Sequence, residues 1–117
     1  MAYGLYLYGI FPAPGPQGLE LEGLDKQPVA SHTIQNQFTF LYSEAQQERY
    51  LASRRHLLGH ERVLEAAMAE GYRTLLPLQF GLIIEDWQSV IDQLITPKAT
   101  ALLTLFQKLH DRREVGV

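Results

Sequence analysis

The sequence predicts an α+β fold, a modified ferredoxin-like sandwich whose four-stranded, mainly antiparallel sheet carries one long helix and two C-terminal helices. Three observations predict it. Apolar residues alternate with a period of two near the amino terminus and again over residues 29–43. The period changes to that of a helix after Ser53. The resulting order is strand, long loop, strand, strand, helix, strand, helix, helix. A Pro/Gly loop replaces the first helix usual in such a fold, and the two C-terminal helices are left to cover the vacated sheet face.

Tyr3 to Phe11 form the first strand, with Tyr3, Leu5, Leu7 and Phe11 on one side and Tyr6, Tyr8 and Ile10 on the other. Apolar residues on both sides imply that both faces are covered. Pro12, Pro14, Gly15 and Pro16 stop the strand. The stretch from Pro12 to Pro28 is long for a connection, so it is a functional or a poorly ordered loop. Val29 to Gln35 and Phe38 to Ser43 follow as two strands with Asn36 at the turn, and Phe38, Phe40 and Tyr42 share one side.

From Ser53 to about Glu70, Leu57, Val63, Leu64, Ala67 and Met68 lie on one helical face. Arg54, Glu61, Arg62 and Glu65 lie opposite, with Ser53 as N-cap and Gly71 as C-cap. Arg73 to Gly81 form a fourth strand, with Thr74, Leu76, Leu78 and Phe80 on one face and Pro77 demanding an edge position or a local bulge. Trp87, Val90, Ile91, Leu94 and Ile95 mark an amphipathic helix, and Thr96-Pro97 start another carrying Leu102, Leu105, Phe106 and Leu109. Lys108, His110, Arg112 and Arg113 suit its negative end.

At 117 residues the chain is one domain with room for one core of two packed layers. Hydrophobic residues at 46% and charged residues at 20% exclude intrinsic disorder. Ten Lys and Arg against thirteen Asp and Glu give a net charge of −3, which argues against binding to a phosphate backbone. Cys is absent, removing disulfides, thiol catalysis and Cys-ligated zinc. No apolar run reaches the roughly 18 residues of a membrane span. The amino terminus also lacks a basic start and a cleavage site, so a soluble, cytoplasmic protein with no lipid partner is expected.

His56 and His60 stand four apart with Glu61 beside them, a spacing at which two imidazoles can share a metal. Zincin patterns need Glu where Leu57 or Gly59 stands. Both histidines project toward the apolar stripe, which favours core histidines bonded to a carbonyl or carboxylate. Glu20 with Glu22 have no environment to raise one pKa, and Glu85 with Asp86 offset a helix dipole. No Gly-rich phosphate cradle is present. Tyr6, Tyr8, Phe38 and Phe40 resemble the base-stacking aromatics of RNA-binding sheets only in type, since no basic motif surrounds them. No catalytic, cofactor-binding or metal-ligating residue is therefore assigned.

Three segments carry a family resemblance. Leu7-Tyr8-Gly9-Ile10 opens the chain, His60-Glu61-Arg62-Val63-Leu64-Glu65 sits on the long helix, and Leu75-Leu76-Pro77-Leu78-Gln79-Phe80-Gly81 forms the strand after it. In this order, from Tyr3 to the end, the chain resembles the amino-terminal half of the gas vesicle protein GvpL/GvpF family. The resemblance implies a non-enzymatic accessory or minor structural protein of gas vesicles, without cofactor, located at the vesicle within the cytoplasm. Its implied partners are the shell protein and other gas vesicle proteins. It further implies that residues 1–117 are the first domain of a two-domain parent about twice as long; the stop at Val117, where another strand could begin, agrees. His60, Glu61, Arg62, Pro77, Phe80 and Gly81 match motif positions with structural roles: His60 and Phe80 pack, Gly81 permits the strand exit, and Glu61 and Arg62 face outward. The residues themselves make the charged helix face of Arg54, Glu61, Arg62 and Glu65 a solvated surface first, and equally a candidate partner-contact face, since mixed charge gives register and specificity without much affinity. A different class, a ferredoxin-like regulatory domain binding a small ligand at a sheet edge, is the second reading. A metal-dependent hydrolase using His56, His60 and Glu61 is the third.

Overall fold

The computed structural model describes residues 3–15, 19–69 and 74–115, with side chains described to residue 109. Strands β1 (Gly4–Pro12), β2 (Ala30–Ile34), β3 (Phe38–Ala45), β4 (Leu76–Pro77) and β5 (Ile83–Ile84) form one antiparallel sheet in the order β2-β3-β1-β4, with β5 also on β1. Helix α1 (Arg54–Ala69) lies on one face. On the other lie α2 (Trp87–Val90), a π turn (Ile91–Ile95) and α3 (Thr96–Val115). The fold is α+β with three layers and a separate apolar cluster on each side of the sheet, not two layers around one core.

β1 is covered on both faces, but not in strict alternation. Its pairing with β3 shifts register between Leu7 and Gly9, which inverts the side-chain phase beyond that point. Phe11 therefore joins Tyr6 and Tyr8 against α1, while Ile10 joins Leu7 against the C-terminal helix. The β2–β3 hairpin turns where Asn36 predicts. Gln35 and Asn36 have φ of 55° and 54°, and the Gln37 amide donates to the Ile34 carbonyl at 3.1 Å.

α1 begins at its expected cap, the His56 amide donating to Ser53 Oγ at 3.2 Å. Gly71 and Arg73 lie outside the described residues. The buried stripe is His60, Val63, Leu64 and Ala67; Leu57 and Met68, expected inside, are 40% and 39% exposed. Leu24 explains the shift. It leans onto α1 at Gly59, where an added Cβ would stand 2.8 Å from Leu24 Cδ2, so the helix packs about the Gly59–His60 line.

The expected fourth strand is two short strands flanking a loop. β4 pairs with Gly9 and Ile10, and β5 with Leu5 and Tyr6. Between them Leu78 donates to the Tyr8 carbonyl at 3.0 Å and Leu7 donates to the Leu82 carbonyl at 3.1 Å. Residues 79–81 thus loop out of the edge. This splits the predicted face: Leu76 and Leu78 pack on the C-terminal-helix side, Phe80 on the α1 side. Pro77 sits on the edge, as its missing donor requires.

Thr96-Pro97 does not begin a new helix. Residues 87–115 are one uninterrupted helix, so among the described residues there are two long helices where three were expected. Pro97 has no N–H to give the Gln93 carbonyl, and its ring would collide with that carbonyl in a regular α-helix. The π turn before it widens the backbone: the Thr96 amide reaches the Ile91 carbonyl, five residues back. Asp86 caps the start, its carboxylate accepting from the Ser89 amide at 2.8 Å, and that bond lowers its pKa. The side chains of His110, Arg112 and Arg113 lie outside the described residues.

Candidate functional site

His60 is 5% exposed and bonded through both ring nitrogens. Nδ1 lies 2.8 Å from Tyr6 Oη, and Nε2 lies 3.1 Å from the Leu78 carbonyl oxygen. A carbonyl only accepts, so Nε2 carries the proton and Nδ1 accepts from the Tyr6 hydroxyl. Tyr6 Oη in turn accepts from the Gly81 amide at 3.0 Å. The chain of bonds is closed: Gly81 N–H to Tyr6 O–H to His60, and His60 N–H to Leu78. It pins both ends of the extruded loop to α1. Phe80 closes the loop from above, its ring 5.8 Å from His60 and 6.2 Å from Tyr6. Gly81 has φ of 89°, which favours glycine there.

Burial lowers the His60 pKa and keeps the imidazole neutral; the Leu78 carbonyl and Glu61 oppose this more weakly. Burial likewise raises the Tyr6 hydroxyl, with the Gly81 amide pulling the other way. The group is thus a latch in which the Tyr6 O–H and the His60 ring N–H both donate to partners within it, with the imidazole held neutral at neutral pH.

Two further tyrosines hold the long loop between β1 and β2. Tyr8 Oη is 2.8 Å from Ser43 Oγ and accepts from the Leu24 amide at 3.0 Å. Gly23 beside it has no room for a side chain, since a Cβ would collide with the Tyr8 hydroxyl. Tyr50 donates to Asp25 Oδ2 at 2.7 Å and accepts from the Gln46 amide at 3.0 Å. Burial and the Asp25 bond push its pKa up to about 12. Among the described residues every buried side-chain polar atom has a partner.

The sequence-derived residues separate into groups. His60, Phe80 and Gly81 meet in the latch, while Pro77 is exposed on the adjoining edge. His56 does not join His60. It is half-buried, its Nδ1 donating to the Leu51 carbonyl at 2.8 Å, with its ring edge-on to Tyr50. With both nitrogens of His60 engaged as well, the pair has no shared ligand position. Glu85 is exposed beside the Asp86 cap, and Glu20 and Glu22 are exposed on the long loop.

Arg54, Glu61, Arg62 and Glu65 are all exposed along the outer face of α1. Leu58 lies four residues from both Arg54 and Arg62 in the middle of this stripe and is 47% exposed. The stripe is therefore a charged rim around an apolar point. Sequence reasoning missed Leu58 and the hydroxyl roles of Tyr6, Tyr8 and Tyr50. The second carried a signal: Tyr in place of Phe on a strand covered on both faces means a buried hydroxyl that must find a partner. A cleft of about 370 Å³ lies beside the latch, lined by residues 78–82, Leu94 and Lys98.

Comparison with known proteins places this geometry. The family model described as "Gas vesicle synthesis protein GvpL/GvpF" matches residues 4–117. The chain is 59% identical to gas vesicle protein F of Dolichospermum flosaquae over 117 residues, all of this chain and 47% of that protein. It is 60% identical to gas vesicle protein F of Nostoc sp. (strain PCC 7120), covering 48% of it. The chain thus spans about half the length of the curated relatives it matches. Among solved structures, GvpF from Anabaena sp. PCC7120 superposes with a TM-score of 0.85 at 60% identity, over 90% of this chain and 44% of that one. GvpF from Microcystis aeruginosa superposes with a TM-score of 0.83 at 59% identity, over 91% and 43%.

Proposed function

The chain belongs to the GvpL/GvpF family of gas vesicle synthesis proteins, and from that premise we propose that it is a non-enzymatic accessory or minor structural domain. In this reading it binds gas vesicle shell subunits and supports vesicle assembly at the vesicle, within the cytoplasm. It is the first domain of a two-domain parent, and its sandwich is a ferredoxin-like variant in which helix 87–115 stands in for the missing first helix.

One observation carries the reading: the interior chemistry is used up while the outer face of α1 is left open. His60, Tyr6 and Tyr8 are closed into hydrogen bonds. Arg54, Glu61, Arg62 and Glu65 surround the exposed Leu58. Mixed charge around an apolar point suits docking, since the charges set register and the apolar residue supplies affinity. The latch serves this surface indirectly by fixing α1 to the sheet.

The test is a pull-down of the hydrophobic shell protein by the domain and by the full-length protein. Retention by at least one is expected, and no retention by either removes the proposal. The second reading, a small-ligand regulatory domain, draws on the cleft beside residues 78–82, whose volume falls within the usual range for ligand sites. A thermal-shift screen separates the two, because a ligand at about 100 times its dissociation constant adds roughly 2.7 kcal/mol.

A further inference from the structure

The two edges of the sheet are built differently. The β4/β5 edge is blunted: Pro77 lacks a donor, residues 79–81 loop away, and the two strands are 2 residues each. Each is a recognised way of preventing another strand from adding there.

β2 has none of these devices. Its 5 residues, Ala30-Ser31-His32-Thr33-Ile34, pair with β3 in unbroken register, and among the described residues no strand pairs with its outer side. It contains no proline and no charge. From Gln27 through Ser43 there is no Asp, Glu, Lys or Arg at all, in a chain of net charge −3. The sheet face beside this edge is finished by rings. His32 stacks on Trp87 with centroids 4.1 Å apart and planes 17° apart, and Trp87 meets Tyr42 edge-on at 5.0 Å. One face of the His32 ring is covered by the indole; the other faces away from it. Both His32 and Trp87 are half-buried.

From this asymmetry we infer that β2 is an interaction edge whose occupant is β2 of a second copy, joining two sheets into one across a twofold axis at His32. A free ladder of amides and carbonyls accepts only extended backbone, which limits the occupant to a strand. Self-complementarity selects the same strand. Antiparallel pairing about His32 sets Ala30 of one copy against Ile34 of the other, small against large on one face, and Ser31 against Thr33, hydroxyl against hydroxyl, on the opposite face. Two net-negative copies repel over most of their surfaces, but the uncharged stretch 27–43 lets them approach edge to edge. The two His32–Trp87 stacks then meet near the axis. The interface is small, so the dimer is weak and reversible, as expected for contacts below about 1,200 Å².

Sedimentation of the full-length protein from about 10 µM to 0.5 mM tests this, a range that spans the dissociation constants of weak association. A reversible monomer–dimer equilibrium is expected. His32→Lys places like charges opposite each other at the axis and weakens association by about tenfold or more. His32→Phe keeps the stacked ring and retains the dimer. Ala30→Lys, at a position exposed in the monomer, weakens it while leaving the circular dichroism and melting of the monomer unchanged. A protein that stays monomeric throughout, or a dimer indifferent to both lysine substitutions, overturns the inference.

Discussion

The two faces of the sheet solve the same problem by different physics. The C-terminal-helix face is apolar: Leu7, Ile10, Phe38, Phe40, Val90, Ile95 and Phe106 are buried together, and no buried polar side chain belongs to that cluster. The α1 face contains Tyr6, Tyr8, Tyr50 and His60 and reaches Ser43, each bonded to a specific partner. Area holds a helix in place but does not set the path of an irregular segment; directional bonds do. The α1 face is where the long loop and residues 78–82 must be fixed, and the polar groups sit there. On the apolar face a single continuous helix needs only a stripe.

This contrast can be broken most forcefully on the apolar face. Phe40 is fully buried, and Phe40→Ala should lower global stability by about 3–5 kcal/mol in denaturant unfolding, with transitions that coincide for all probes. Tyr6→Phe should cost less, about 1–3 kcal/mol, because it leaves the Gly81 amide and His60 Nδ1 without partners. Its signature is local: amide exchange at Leu78 and Gly81 should rise well before the rest of the sheet. Acid should act on the same face. His60 binds a proton less readily folded than unfolded, so below its ordinary value of 6.5 the unfolded chain holds more protons. Stability should therefore fall as pH drops from 6.5 toward the lower folded value, and His60→Gln should flatten that slope in melting curves. Tyr50→Phe should be mildest, about 0.5–1.5 kcal/mol, since Asp25 and Gln46 lie where water can replace the hydroxyl.

The apolar face was the more legible in the sequence. Phe38, Phe40 and Tyr42 alternate, and Val90, Ile91, Leu94 and Ile95 repeat at helical spacing, so the residues that pack there could be named from period alone. Pro97 misled because proline usually marks a boundary, whereas here a π turn absorbs it. On the α1 face, α1 itself followed from its period and its Ser53 cap. The loop at residues 79–81 did not, because Thr74 to Phe80 alternate like a strand, while the bonds to Tyr6 and His60 that hold the segment off the edge come from distant parts of the chain. The phase inversion in β1 was hidden for the same reason: a bulge is set by the partner strand. His56 and His60 look equivalent in sequence, and Leu24 seated at Gly59 decides which one is buried. The family motifs, by contrast, could be read directly, and the family model covers residues 4–117.

The functional account rests on the outer face of α1 being the docking surface while its inner face is spent on the latch. Co-sedimentation of the full-length protein with intact gas vesicles, comparing the natural protein with Leu58→Asp and with a paired Arg54→Glu, Arg62→Glu variant, addresses that directly. Arg54, Leu58 and Arg62 are all exposed, so the variants should melt like the natural protein. The account predicts that both variants lose at least about tenfold in binding, with the charge-reversed pair also changing how binding responds to salt. Undiminished binding by both, with folding intact, would contradict it.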